Sequence, residues 1–117
     1  MKRFLIMSAA IALSAIGVAQ AHTTLKSAVP ANNSVVPSPP TEIKLNFGKP
    51  GRLTALTIQK EGDKEAKAIA ALPKDAATTL SVPIEPLTSG KYTVNWRVMG
   101  ADNHVMSGVV RFTVDAK

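Results

Sequence analysis

The sequence predicts an all-β domain, either an antiparallel sandwich or a Greek-key barrel of about seven short strands. Segments in which apolar and polar residues alternate recur along the chain, as half-buried strands require. Clusters of Gly, Pro, Asn and Ser separate these segments, and such clusters form turns. No segment has the residue spacing of an amphipathic helix, so a fold that mixes helices with strands is disfavoured.

Residues 1–21 have the pattern of a secretory signal peptide. Two basic residues precede a mainly apolar run over residues 4–18, and the small residues Ala19 and Ala21 stand where a signal peptidase cuts. We predict cleavage after Ala21, which leaves one exported domain, residues 22–117, without a membrane span. The alternative is a retained N-terminal anchor, although the apolar run is short for a membrane helix.

The composition excludes several kinds of site. The chain has no cysteine, so it forms no disulfide and offers no thiolate. Its net charge of +6 falls to +4 when Lys2 and Arg3 leave with the signal peptide. The basic residues are scattered among acidic ones and form no run with interleaved aromatics. We therefore expect no nucleic-acid-binding surface.

Alternation predicts where the strands lie. In the second half of the chain, Tyr92 and Trp96 are expected in the core rather than at a ligand site. Around residue 55, alternation is expected to place Leu53, Ala55 and Thr57 on one face. The predicted strands and extended segments cover residues 22–30, 41–47, 53–59, 66–72, 78–84, 90–98 and 105–114.

Turn chemistry predicts the connections. Residues 30–40 are dense in Pro, Asn and Ser and are expected to form a loop. The Gly-Lys-Pro-Gly segment at residues 48–51 is expected to end the strand before it. Residues 60–67 carry mixed charges around a Gly-Asp pair and indicate a solvated hairpin turn. Residues 100–104 form the last predicted loop, and a helical turn is an alternative for the alanine-rich residues 66–72.

The two histidines of the chain suggest a metal site. After cleavage His22 would be the first residue, and its α-amine and imidazole Nδ1 would close a six-membered chelate ring on one ion. In an extended segment, side chains two residues apart point the same way, so Asp102 and His104 can both face that ion while Asn103 points away. Three nitrogens and one carboxylate oxygen suit Cu(II) better than zinc, calcium, magnesium or Cu(I). An isolated Asp-x-His is more often a turn that binds nothing, so the position of His22 carries this hypothesis.

The mature chain resembles the periplasmic copper-binding CopC family. The resemblance rests on residues 22–32, 42–47 and 90–98, and above all on Ala-Asp-Asn-His-Val-Met-Ser-Gly at residues 101–108, followed by Phe-Thr-Val at residues 112–114. It implies a cupredoxin-like, immunoglobulin-like Greek-key barrel. It also implies that His22, Asp102 and His104 bind Cu(II).

This sequence departs from the family pattern in three places. Lys49 stands where many members have a glutamate close to the copper, which removes a negative charge. Asn103 replaces the usual glycine, and Val105 replaces the usual proline. Residues 45–70 contain no methionine-rich segment, so we predict no Cu(I) site.

These observations predict a monomeric periplasmic protein of copper homeostasis and resistance, a carrier or buffer for one Cu(II) ion and not an enzyme. The expected partner is an inner-membrane copper transporter of the CopD type. One alternative is a copper-dependent oxidative enzyme, since some of these also use an N-terminal histidine, and peroxide-dependent cleavage of a polysaccharide would distinguish it. The other is an exported β-sandwich interaction module that binds no metal.

Overall fold

The structure is a computed structural model, and it describes residues 25–116. Within that range the chain forms strands and no helix, which confirms the all-β prediction and its number of strands. With no helix there, the same residues offer none that is long and apolar enough to cross a membrane. The strands are β1 (Leu25–Val29), β2 (Ser34–Val36), β3 (Glu42–Lys60), β4 (Lys67–Ala68), β5 (Ala77–Pro83), β6 (Gly90–Gly100) and β7 (Val105–Val114).

Strand β3 connects the two halves of the fold because it is 19 residues long and changes partners along its length. Residues 42–47 pair antiparallel with β1 and β5, and residues 51–60 pair antiparallel with β6 and β4. Strand β7 continues from β6 and pairs in parallel with β2, so the sheet is mixed rather than purely antiparallel. The single sheet curls around one core. We call β1, residues 42–47 and β5 the first half-sheet, and the remaining strands the second half-sheet.

The core consists of apolar side chains from the inner faces of both half-sheets. Trp96 meets Phe47 edge-on with ring centroids 5.1 Å apart, and Tyr92 stacks on Phe112 at 5.7 Å. The Tyr92 hydroxyl donates a 2.7 Å hydrogen bond to the carbonyl of Thr88, which satisfies the one polar atom of that ring. Both aromatic residues thus lie in the core as predicted. The buried residues are Ala28, Ile43, Leu45, Phe47, Leu53, Leu56, Ile58, Leu80, Val82, Tyr92, Val94, Trp96, Val98, Val110, Phe112 and Val114.

The turn predicted at residues 48–51 is wrong, because β3 runs through this segment without ending. Gly51 pairs with Gly100 of β6 and with Ala77 of β5, so this is where the strand passes from one half-sheet to the other. A side chain at position 51 would overlap Cγ1 of the buried Val98. Glycine here therefore permits close packing of β3 on β6 and does not mark the end of a strand.

The alternation predicted for the second half of β3 is also wrong. The pairing of β3 with β6 shifts register between Leu53 and Ala55, and this bulge turns Leu53, Leu56 and Ile58 inward. One extra residue on one strand reverses the faces that follow it. Alternation counted from Leu53 therefore assigns Ala55 and Thr57 to the wrong face.

Two short strands differ from the expected connections. The loop predicted over residues 30–40 contains β2, whose three residues pair with Phe112, Thr113 and Val114. The strand predicted over residues 66–72 is reduced to β4, which makes only two pairings with β3. Segments of two or three residues are too short to show a periodicity, so their pairing depends on tertiary contacts.

Candidate metal centre

The Asp-x-His segment lies in the tight turn that joins β6 to β7. The amide of Asn103 donates a 3.0 Å hydrogen bond to the carbonyl of Gly100, and the amide of Gly100 donates to the carbonyl of His104 at 2.9 Å. Asn103 has a φ of 65°, in the left-handed region. A three-residue hairpin loop commonly has this form, a tight turn closed by one left-handed residue.

Asn103 adopts the left-handed backbone conformation, which glycine enters with the least steric cost. Asparagine is among the few other residues that enter the left-handed region readily, because its short polar side chain tolerates it. The replacement of the family glycine by Asn103 is therefore compatible with this turn. The loop predicted over residues 100–104 is confirmed. The extended geometry expected for Asp102 and His104 is wrong, since the turn rather than strand alternation orients these two candidate ligands.

The turn places the side chains of Asp102 and His104 in direct contact. His104 Nδ1 lies 2.5 Å from Asp102 Oδ2, and the His104 amide donates a 3.2 Å hydrogen bond to Asp102 Oδ1. Adjacent donor atoms on one first-row metal ion lie roughly 2.8 Å apart, given metal–ligand bonds of about 2 Å at right angles. The hydrogen-bonded contact is shorter than this, so a small separation of the two side chains would let both atoms bind one ion.

The environment of Asp102 keeps its carboxylate ionised. The hydrogen bond with the His104 side chain, aided by the one from the His104 amide, lowers the pKa of Asp102 below its ordinary value. A carboxylate of ordinary pKa is already ionised at neutral pH, and the lowered pKa extends its ionised range to more acidic solutions. The stabilisation that the ionised contact provides is lost as the pH falls through that lowered pKa. Asp102 is thus an anionic oxygen donor throughout the neutral range.

Gly100 gives the carboxylate its space, a role that alternation and turn signals do not reveal. A Cβ at this position would lie 3.0 Å from Asp102 Oδ1, closer than ordinary contacts. The loop is open to solvent, with the His104 and Asp102 side chains 80% and 66% exposed. An incoming ion or partner can therefore reach both side chains directly.

The third predicted ligand, His22, lies outside the described residues. Strand β1 is antiparallel to β3, with Val29 paired to Lys44 and Leu25 paired to Phe47. The N-terminal end of β1 therefore lies beside the part of β3 that approaches its middle. There Gly51 pairs with Gly100, the residue at which the tight turn between β6 and β7 begins. Strand β1 thus leads toward the end of the sheet that carries Asp102 and His104. His22 is three residues before Leu25, and three residues of chain span at most about 11 Å.

Three other residues are relevant to the metal site because of their place in the sequence, and the structure gives the position of each. Lys49 is exposed on β3 two residues before Gly51. Met106 is half-buried and packs against the core, which is the common role of methionine at a strand end. Met99 pairs with Val105 at the end of β6. Residues 25–116 include no group of three or more His, Cys, Asp or Glu side chains that could hold one metal ion, so within this range the candidate site has only two members, Asp102 and His104.

Three comparisons with known proteins identify the family. Residues 25–115 match the CopC domain. Copper resistance protein C from Pseudomonas syringae pv. tomato is 33% identical over 106 residues, which cover 83% of each chain. The copper transport protein CutJ from Bacillus subtilis is 26% identical over 98 residues, which cover 80% of this chain but 18% of CutJ.

A solved structure agrees with the fold. The crystal structure of CopC from Methylosinus trichosporium OB3b superposes with a TM-score of 0.69 at 26% identity and covers 81% of this chain and 95% of that one. The relatives bear the names of copper resistance and transport proteins, which agrees with a role in copper handling. The all-β curled sheet, the Asp102–His104 turn and these matches together show that the chain belongs to the CopC family of copper resistance proteins.

Proposed function

We propose that the chain is exported to the periplasm, is cleaved after Ala21, and binds one Cu(II) ion as a carrier or buffer. The ligands are the α-amine and imidazole of His22, the carboxylate of Asp102 and the imidazole of His104. The observation that carries the proposal is the contact of His104 Nδ1 with Asp102 Oδ2 at the end of the sheet toward which β1 leads.

The donor set supports Cu(II) as the bound ion. Imidazole and amine nitrogens with one carboxylate oxygen suit a tetragonal Cu(II) centre, whereas Cu(I) prefers thiolate and thioether ligands. The negative oxygen of Asp102 also stabilises the higher charge of Cu(II). This disfavours reduction to Cu(I), which an oxygen-activating copper enzyme requires, and so supports binding rather than catalysis.

The exposure of the turn supports a carrier or buffer role. Asp102 and His104 are largely open to solvent, so the ligands of a second protein can approach the ion while it is still bound. The copper transport protein CutJ is much longer than this chain, and the region of CutJ that resembles it makes up 18% of that protein. A segment of this kind thus occurs joined to further sequence in a copper transport protein, which supports a transporter as that second protein. We therefore propose an inner-membrane copper transporter of the CopD type as the partner.

Mass spectrometry of the full-length chain, expressed in a bacterium and recovered from the periplasm, tests this proposal. Under denaturing conditions we expect the mass of residues 22–117. Under non-denaturing conditions with one equivalent of Cu(II), we expect a single chain that carries one copper ion. A protein that begins elsewhere, stays with the membrane fraction, or takes up no copper would contradict the proposal. Equimolar Zn(II) is the control, and we expect copper to displace it.

A further inference from the structure

The outward face of the second half-sheet differs in charge from the rest of the molecule. Residues 51–60 of β3, together with β6 and β7, contain no acidic residue, although the chain has eight. Four exposed cations project outward from these strands, since they alternate with core positions: Arg52, Lys91, Arg97 and Arg111. We call this surface the basic face.

These cations have no partners of opposite charge on the described part of the chain. The ion pairs found within residues 25–116 join Lys44 to Glu42, Lys67 to Glu85 and His104 to Asp102. None of them involves the basic face. Acidic residues stand only at the edges of the face: Glu61 and Asp63 in the turn at the end of β3, where they line a cleft with Lys91 and Arg111, Asp102 in the turn after β6, and Asp115 after β7. The strands of the face themselves therefore carry only positive charge.

The same face also carries most of the exposed large apolar side chains. Of the four such residues on the described surface, Val35, Val105 and Val109 lie here and are 64%, 54% and 38% exposed. Single exposed valines are ordinary, but three on one charged face form a mixed surface of the kind found at interfaces.

A shallow groove lies on this face beside Arg97 and Val109. Its volume is about 430 Å³, and its lining includes the small residues Ala55, Ser107 and Gly108. Asn95 also lines it and offers an amide for hydrogen bonding. The groove can therefore take an apolar side chain while a guanidinium beside it takes a carboxylate.

From this arrangement we propose that the basic face is a docking surface for an acidic segment of a partner protein, one that alternates Asp or Glu with apolar residues. Three of the four cations are arginines, whose planar guanidinium binds carboxylates through two parallel hydrogen bonds. A membrane surface fits less well, because interfacial segments insert Trp, Phe or Leu and this face offers only short valines.

The basic face adjoins the turn between β6 and β7, which carries Asp102 and His104. Arg52 pairs with Met99, and the next residues along each strand, Gly51 and Gly100, also pair. A partner bound here would lie beside Asp102 and His104. Transfer of copper to that partner rests on the proposed function, whereas docking itself requires no metal.

Fluorescence anisotropy with a labelled synthetic peptide of alternating Glu and Leu tests the proposal, with the metal-free mature protein. The double variant Arg97→Glu/Arg111→Glu reverses two charges on the face. The control Lys64→Glu/Lys74→Glu makes the same change in net charge at two exposed positions elsewhere. We expect the face variant to bind the peptide at least about tenfold more weakly than the wild type, and the control to stay within about threefold. A peptide of alternating Glu and Gly should bind more weakly than the Glu-Leu peptide, since it cannot fill the groove.

Equal weakening by both variants would overturn the proposal, since it would show attraction by net charge alone. Sedimentation with phosphatidylglycerol vesicles forms the second arm. Vesicle binding that needs Arg97 and Arg111, without peptide binding, would assign the face to membranes instead and overturn the proposal.

A Cu(II) titration of the face variant separates this question from the metal site. We expect its copper affinity to equal that of the wild type, so loss of docking and loss of copper binding are distinguishable.

Discussion

His104→Ala is expected to lower the Cu(II) affinity of the mature protein by more than about 100-fold, because changes to residues that only orient ligands already cost 10- to 100-fold. The variant loses an imidazole donor and also the contact that holds Asp102 Oδ2 in place. Competition titration against a chelator of known affinity measures the change. The single tryptophan, Trp96, provides an independent signal if bound copper quenches its fluorescence.

Asn103→Gly is the matched control for that titration. It changes the residue between the two ligands, but glycine adopts the left-handed conformation of Asn103 without strain. We expect its copper affinity to stay within about threefold of the wild-type value. An His104→Ala protein that retains wild-type affinity and is correctly folded would show that copper binds elsewhere.

Gly108→Val is expected to destabilise the fold by about 3 kcal/mol, the upper part of the range for overpacked cores. A Cβ at position 108 would overlap Trp96 Cζ2 and lie 2.7 Å from Trp96 Cε2. The ring is buried and packs edge-on against Phe47, so it can yield only by disturbing its neighbours in the core. Urea unfolding followed by circular dichroism measures the loss, and we expect the melting temperature to fall by more than about 10 °C.

Ser107→Val places the same side chain one residue earlier, on the solvent side of β7. Ser107 is exposed and pairs with Arg97, so a valine there meets no core atom and suits a strand. We expect its stability to remain within about 0.5 kcal/mol of the wild type. Equal stability of the two variants would mean that Trp96 does not pack on Gly108.

The fold was predictable where burial is regular along a strand. Strand β6 keeps strict alternation, so its four inward residues follow directly from the pattern Tyr92, Val94, Trp96 and Val98. The pattern misleads at Gly51 and Thr54, because a change of sheet and a bulge obey tertiary contacts with β5 and β6. Strand β2 is too short to have a pattern at all.

The sequence singled out two neighbouring side chains of the candidate site but not their geometry, and their role as metal ligands remains a prediction. The type and spacing of Asp102 and His104 indicate a pair of ligands, and the structure brings these two side chains into contact. Their orientation depends on the left-handed Asn103 and on the space beside Gly100, which no periodicity reveals. The part played by His22 remains a prediction.

A paired Cu(II) titration tests most directly whether the α-amine of His22 is a ligand. One protein begins at His22, and the other retains Ala21, which converts that amine into a peptide nitrogen. A third protein with one alanine added after Lys117 is the control, and its affinity should match that of the first. We expect the protein with Ala21 to bind copper at least about tenfold more weakly, since it loses one donor of the chelate ring. Equal affinity of all three proteins would contradict the proposed copper centre.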